Sequence, residues 1–151
     1  MSFSWEPFGR THQDDRQPAA PRPPAPPPAT EPEPAPAALS RNPARGLAVL
    51  ACMDCRIDPL AALGLSLGDA VVLRNAGATV SDDVLRSLHM AHEALGVRAV
   101  HVIAHTDCAA HGGDDDAAVA EAADGAERIE AVLPSLRAQA GLLDLATGAV
   151  R

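Results

Sequence analysis

Two short stretches hold the residues best suited to chemistry: Cys52-Met53-Asp54-Cys55-Arg56 and His105-Thr106-Asp107-Cys108. Cys52, His105 and Cys108 offer two thiolates and one imidazole, a donor set that suits zinc. Three protein ligands leave a fourth coordination position open, as in catalytic rather than closed structural sites. Cys55 raises a competing reading, because C-x-x-C followed by H-x-x-C also spells a closed Cys3His site. Two features weigh against it. The two pairs lie far apart in the chain and follow strands rather than compact knuckle turns, and Asp54 and Arg56 sit between and just after those cysteines. A thioredoxin-like use of Cys52 and Cys55 leaves His105 and Cys108 without a role.

The elements that must position these residues are legible from apolar patterning. Leu47-Ala48-Val49-Leu50-Ala51 is a short continuous apolar run, the mark of a strand buried on both faces, and Cys52 ends it. Ala70-Val71-Val72-Leu73 is a second such run, and Val97 to Ala104 a third, with His105 at its end. Ser81 is a helix cap, with Asp82 and Asp83 favourable in the first turn; Leu85, Leu88, His92 and Leu95 then share one face, and Gly96 terminates the helix. Ala117 to Leu136 reads as a helix with Ile129, Val132, Leu133 and Leu136 as its stripe, although Gly125 and Pro134 interrupt the pattern. Leu142 to Leu145 reads as a last strand before a turn at Thr147-Gly148. Strands alternating with helices predict an α/β domain with a mostly parallel sheet flanked by helices. In such a sheet, sites form at the carboxyl ends of strands where the strand order reverses. If the first and third strands are neighbours, with the second on the far side of the first, Cys52, His105 and Cys108 converge there.

Composition divides the chain in two. Twelve of the 14 prolines lie in the first 43 residues, together with Phe3, Trp5 and Phe8, the only aromatic residues. Residues 1–45 therefore read as a disordered Pro/Ala-rich tail, with polyproline II character from Pro18 to Pro36 and no identified partner. Residues 46–151 read as the zinc-binding α/β domain, whose core must come from Ala, Val, Leu and Ile. A domain of that size buries only roughly 60–70% of its unfolded surface, so a second subunit would help it. In residues 1–45 five acidic side chains cancel five arginines, which leaves the formal charge of −8 on the domain. That sign gives no electrostatic footprint for nucleic acid or an anionic membrane. With no apolar run of spanning length and no secretory leader pattern, the expected location is cytoplasmic.

Both signatures, in this order, resemble the β-class carbonic anhydrases: Cys52-Met53-Asp54-Cys55-Arg56 matches C-x-D-x-R, and His105-Thr106-Asp107-Cys108 matches H-x-x-C. Leu73-Arg74-Asn75-Ala76-Gly77 resembles the loop which that family places beside its active site, and Asp82 to Leu88 the helix after it. The resemblance implies one Zn2+ per chain on Cys52, His105 and Cys108, carbon dioxide and bicarbonate as substrates, and a homodimer or higher homo-oligomer. It also implies catalytic roles for Asp54 and Arg56. Asp54 would accept a hydrogen bond from the attacking hydroxide and aim a lone pair at carbon. Arg56 would fork onto Asp54, keeping it ionised and off the metal. Two alternatives stand beside this reading: a non-catalytic zinc-stabilised interaction protein, and the same site acting on another heteroallene such as carbon disulfide. The chain departs from the family pattern in having Ala109 where Gly follows the second cysteine ligand, Cys55 where Ser or Ala is usual, and the Pro-rich tail where a helix wraps a neighbour.

The remaining polar candidates read as structural. His89 and His92 lie on a helix face, His101 lies within a strand, and Asp114-Asp115-Asp116 forms a solvated helix start. His111 is a weak candidate for proton transfer.

Overall fold

The computed structural model describes residues 35–151; the expectations for residues 1–34 lie outside them. Four parallel strands form one sheet: β1 (Leu47–Cys52), β2 (Ala70–Asn75), β3 (Ala99–His105) and β4 (Arg137–Leu143), in the order β2-β1-β3-β4. Three helices join them, α1 (Pro59–Ala62), α2 (Asp82–Leu95) and α3 (Asp115–Val132). This is the expected α/β architecture. All six residues of β1 are buried, which is why its sequence runs apolar without alternation.

The two sheet faces are covered unequally. On one, α2 and α3 enclose Leu50, Leu88, Val100, Val102, Ile129 and Leu136. Each such side chain contributes about 1.5–3 kcal/mol by leaving water. On the other, Val49, Ala51, Cys52, Ile57, Ile103, Cys108 and Leu143 form a smaller cluster, against which Ala62 at the end of α1, Leu63, Leu145 and Val150 pack. Residues before β1 are tied to the sheet: Ala44 and Arg45 donate backbone hydrogen bonds to Gly68 and Asp69.

Helix α2 follows its sequence signals closely. The Ser81 hydroxyl accepts from the Val84 N–H, and Gly96 adopts the left-handed conformation (φ 75°) in which a side chain would be strained. Elsewhere the boundaries move. Helix α3 begins at Asp115, because Asp114 caps it by accepting from the Ala117 N–H, and it ends before Leu133. Its buried row is Ala118, Ala122, Ala126 and Ile129, whereas Val132 is 54% exposed and so does not belong to the stripe assigned to it. The last strand spans Arg137–Leu143 rather than 142–145. Its first five residues have no β-branched side chain, and pairing with all seven residues of β3 makes them a strand. The short α1 gave no periodic signal; Asp58 caps it by accepting from the N–H groups of Leu60 and Ala61.

Gly125 does not break α3, for a reason that lies in packing. A Cβ there would stand 2.7 Å from Cγ2 of Val80, a buried, β-branched side chain with little freedom to move. Gly125→Ala should therefore destabilise the protein despite alanine's helix propensity. Overpacking costs about 1–3 kcal/mol, against about 1 kcal/mol regained from propensity. Urea unfolding measures the balance, and a stabilised variant would contradict this account of the α3–Val80 contact.

Candidate metal centre

Cys52 is the last residue of β1 and His105 the last of β3, and these strands are adjacent and parallel. From β1 the chain crosses outward to β2, whereas β3 lies on the other flank of β1, so the two strand ends border the point where strand order reverses. Cys108 follows His105 within a tight loop in which Asp107 takes a left-handed conformation (φ 56°). That turn brings Cys108 back to the strand ends that carry Cys52 and His105.

The candidate ligand atoms of Cys52, His105 and Cys108 all lie within 4.8 Å of one another, and all three residues are buried. The Cys52 and Cys108 sulfurs are 3.9 Å apart. Two thiolates at about 2.3 Å from one tetrahedral zinc are separated by about 3.8 Å, so the spacing fits. The imidazole supplies a second test. His105 Nδ1 donates to the Thr106 carbonyl at 2.9 Å, which leaves Nε2 as the unprotonated nitrogen. Nε2 is buried and has no hydrogen-bond partner. A buried lone pair without a donor costs free energy unless something electrophilic faces it, and these donors fit zinc. Cys55 is exposed and stands outside the group, so the closed Cys3His arrangement is not formed.

Backbone N–H groups surround the sulfurs. Gly77 N–H donates to Cys52 Sγ at 3.4 Å. Burial pushes the Cys108 thiol above its ordinary pKa; the N–H groups of Ala110 and His111 pull it down, while nearby Cys52 adds to the rise. A bound cation overrides that balance, since a coordinating thiol is deprotonated outright.

Asp54 and Arg56 form the forked pair expected of them. Arg56 Nε donates to Asp54 Oδ1 at 3.0 Å and to Oδ2 at 3.2 Å, Nη2 donates to Oδ2 at 2.7 Å, and the Arg56 backbone N–H donates to Oδ1 at 2.9 Å. The side-chain bonds first, and the backbone bond second, hold the Asp54 carboxyl far below the usual carboxylate range. Asp54 is thus an ionised acceptor two residues from Cys52, bound to arginine rather than placed among the three candidate ligands.

Two positioning groups had no assigned role in the sequence reading. Arg74, on β2, donates from Nε to the Cys52 carbonyl at 3.0 Å and from Nη2 to the Asp54 carbonyl at 2.6 Å, bracing the loop that carries both. Asp107 accepts from Arg56 Nη1 at 3.0 Å. Both residues stand inside motifs that were singled out, but their contacts cross between strands and leave no local pattern. Of the other histidines, His111 Nε2 lies 3.5 Å from the Gly77 carbonyl. His92 Nδ1 donates to the Val97 carbonyl at 2.7 Å, and the His101 ring lies 2.5 Å from the Gln139 amide.

Comparison with known proteins agrees with this geometry. A family model described as carbonic anhydrase matches residues 47–144. β-Carbonic anhydrase 1 of Mycobacterium tuberculosis is 46% identical over 70 residues, covering 46% of this chain and 43% of that protein. Carbon disulfide hydrolase of Saccharolobus solfataricus is 44% identical over 64 residues, covering 42% of this chain and 31% of that protein. The chain thus spans less than half the length of the curated relatives it matches. Among solved structures, a carbonic anhydrase from Streptococcus mutans superposes with a TM-score of 0.64 at 32% identity, covering 73% of this chain and 82% of that one. The chain belongs to the carbonic anhydrase family, in its β class. No helix among the described residues is long and apolar enough to cross a membrane.

The loop beside the sulfurs has little tolerance. Gly77 has φ 72°, and a Cβ there would lie 2.9 Å from His111 Nε2 and 3.1 Å from Ala110 Cβ. Gly77→Ala should cost about 1–2 kcal/mol from the left-handed backbone alone, read as a lower urea midpoint. An unchanged midpoint would show that the loop relaxes freely and that this glycine is not required.

Proposed function

We propose that this protein is a zinc enzyme that reversibly hydrates carbon dioxide to bicarbonate, with one Zn2+ held by Cys52, His105 and Cys108 and with Asp54 and Arg56 as its catalytic pair. The observation that carries the reading is the partnerless, buried Nε2 of His105 beside two thiols, next to a carboxylate engaged by arginine rather than by the ligand group. Zinc bound there supplies a Lewis acid that acidifies water, making a hydroxide nucleophile available near neutral pH. The rest of the work falls to the chain. Asp54 accepts a hydrogen bond from the attacking oxygen and so turns a lone pair toward the carbon of the substrate. Arg56 keeps Asp54 ionised and fixes its plane, and Arg74 holds the backbone from which Asp54 projects. The buried surroundings of Cys52 and Cys108 keep the thiols from competing reactions.

A second reading keeps the same machinery with carbon disulfide as substrate; it is favoured by the likeness to proteins named carbon disulfide hydrolase. In either case we place the protein in the cytoplasm as a homodimer or higher homo-oligomer. The small core supports assembly, as does the open edge of the sheet at β2, where Val72 is 37% exposed.

Stopped-flow hydration with zinc quantified per chain tests the proposal. Ala at Cys52, His105 or Cys108 should abolish zinc binding, whereas Cys55→Ser should keep one ion per chain. Asp54→Asn should keep its zinc and lose about 10²–10⁴-fold in rate, the usual contribution of a proton-handling group. Zinc loss in Cys55→Ser would sink the open site. A metallated Asp54→Asn at wild-type rate would sink the mechanism and leave a zinc-stabilised interaction protein.

A further inference from the structure

The Arg56 guanidinium is used on two edges. Its Nε and Nη2 face Asp54, while Nη1 donates to Asp107 Oδ2 at 3.0 Å and Nη2 also reaches the Asp107 carbonyl at 3.2 Å. Asp107 therefore presents two acceptors to one guanidinium, one from its side chain and one from its backbone. It does so from a left-handed conformation (φ 56°), a region that aspartate enters at a cost but more readily than most residues. Its own N–H donates to Asp115 Oδ1 at 2.9 Å, anchoring the turn to the first residue of α3. A chain of polar contacts thus runs from α3 through Asp107 and Arg56 to Asp54. It ties the loop after β3, which bears Cys108, to the loop after β1, which bears Asp54 and Arg56.

We propose that Asp107 is a positioning residue for the hydration reaction: it clamps the free edge of the Arg56 guanidinium, so that the fork on Asp54 keeps a single orientation. This inference rests on the function proposed above. Without Asp107, Arg56 could still pair with Asp54, but its planar guanidinium could swing about the Cδ–Nε bond and rotate sooner about the stiffer Nε–Cζ bond, weakening the fork. Strength of attraction is not the reason for the contact. The side chains of Arg56 and Asp107 are 48% and 78% exposed, and pairs that open to water contribute little to stability. The gain is geometric, since a guanidinium held on both edges cannot swing.

Asp107→Gly separates this role from a structural one. Glycine suits the left-handed backbone and keeps the carbonyl and the N–H, so the fold and the zinc content should be retained, with a thermal midpoint at or above that of wild type. Only the carboxylate is lost. In the full-length zinc-loaded protein, kcat should fall about fivefold, the size of one exposed charge-assisted contact, with KM unchanged. Asp107→Asn, which keeps an acceptor oxygen and tolerates the same backbone, should recover part of the rate. A readout independent of activity is the 15N-detected Arg56 side chain, assigned with Arg56→Lys: its Nη–H signals should be distinct in wild type and merged by rotation in Asp107→Gly. An Asp107→Gly rate within twofold of wild type overturns the proposal, as do unchanged Nη–H signals. If wild type shows the restrained guanidinium and Asp107→Gly frees it while neither hydrates carbon dioxide, the clamp stands and the substrate assignment falls.

Discussion

Parallel pairing of β1 with β3, from Leu47 against Ala99 to Ala51 against Ile103, is the constraint on which the site depends. It fixes Cys52 and His105 at the same end of two adjacent strands, each already oriented by its neighbours. Strand order does the remainder. With β2 on one flank of β1 and β3 on the other, the strand order reverses at the β1–β3 boundary, the position at which parallel sheets place their sites. A change of register by one residue would turn Cys52 to the other face. The burial of every β1 residue, with helices on one face and the α1 cluster on the other, makes that slip costly.

The second layer of organisation is polar and lies in loops. Arg56 faces two carboxylates, Asp54 and Asp107, and Arg74 spans two carbonyls of the Cys52–Asp54 segment. These contacts add little to global stability, because several are exposed. Their effect is to limit how the Asp54 carboxylate, the proposed catalytic group, can turn. Catalysis of this type needs orientation within a fraction of an ångström, and flexible loops reach it only when hydrogen bonds restrict them.

What could be read from the sequence follows the range of the interactions involved. The apolar run Leu47–Ala51 and the capped helix between Ser81 and Gly96 are governed by neighbours a few residues away, and both stand where expected. That Cys52, His105 and Cys108 would come together was legible because zinc demands a few residue types and the motifs carry them at and just after strand ends. Strand β4 was misplaced because Arg137-Ala138-Gln139-Ala140-Gly141 becomes a strand only by pairing with β3. Of the stripe Ile129, Val132, Leu133 and Leu136, Ile129 packs from α3 as expected and Val132 does not; the rest of the helix packs through Ala118, Ala122 and Ala126, whose small side chains leave a weak pattern. Arg74 and Asp107 went without roles because their partners lie in distant loops. A left-handed turn at a non-glycine residue, such as Asp107, has no reliable sequence mark.

The central claim is a metal held by two sulfurs and one imidazole nitrogen, with its fourth position left to solvent or substrate. X-ray absorption at the zinc edge of the purified protein measures that ligand set directly. The account predicts two sulfur ligands at about 2.3 Å and two lighter ligands at about 2.0–2.1 Å, one of them with the outer-shell scattering of an imidazole. Three sulfur ligands would contradict it, because Cys55 would then close the position that the chemistry requires to be open.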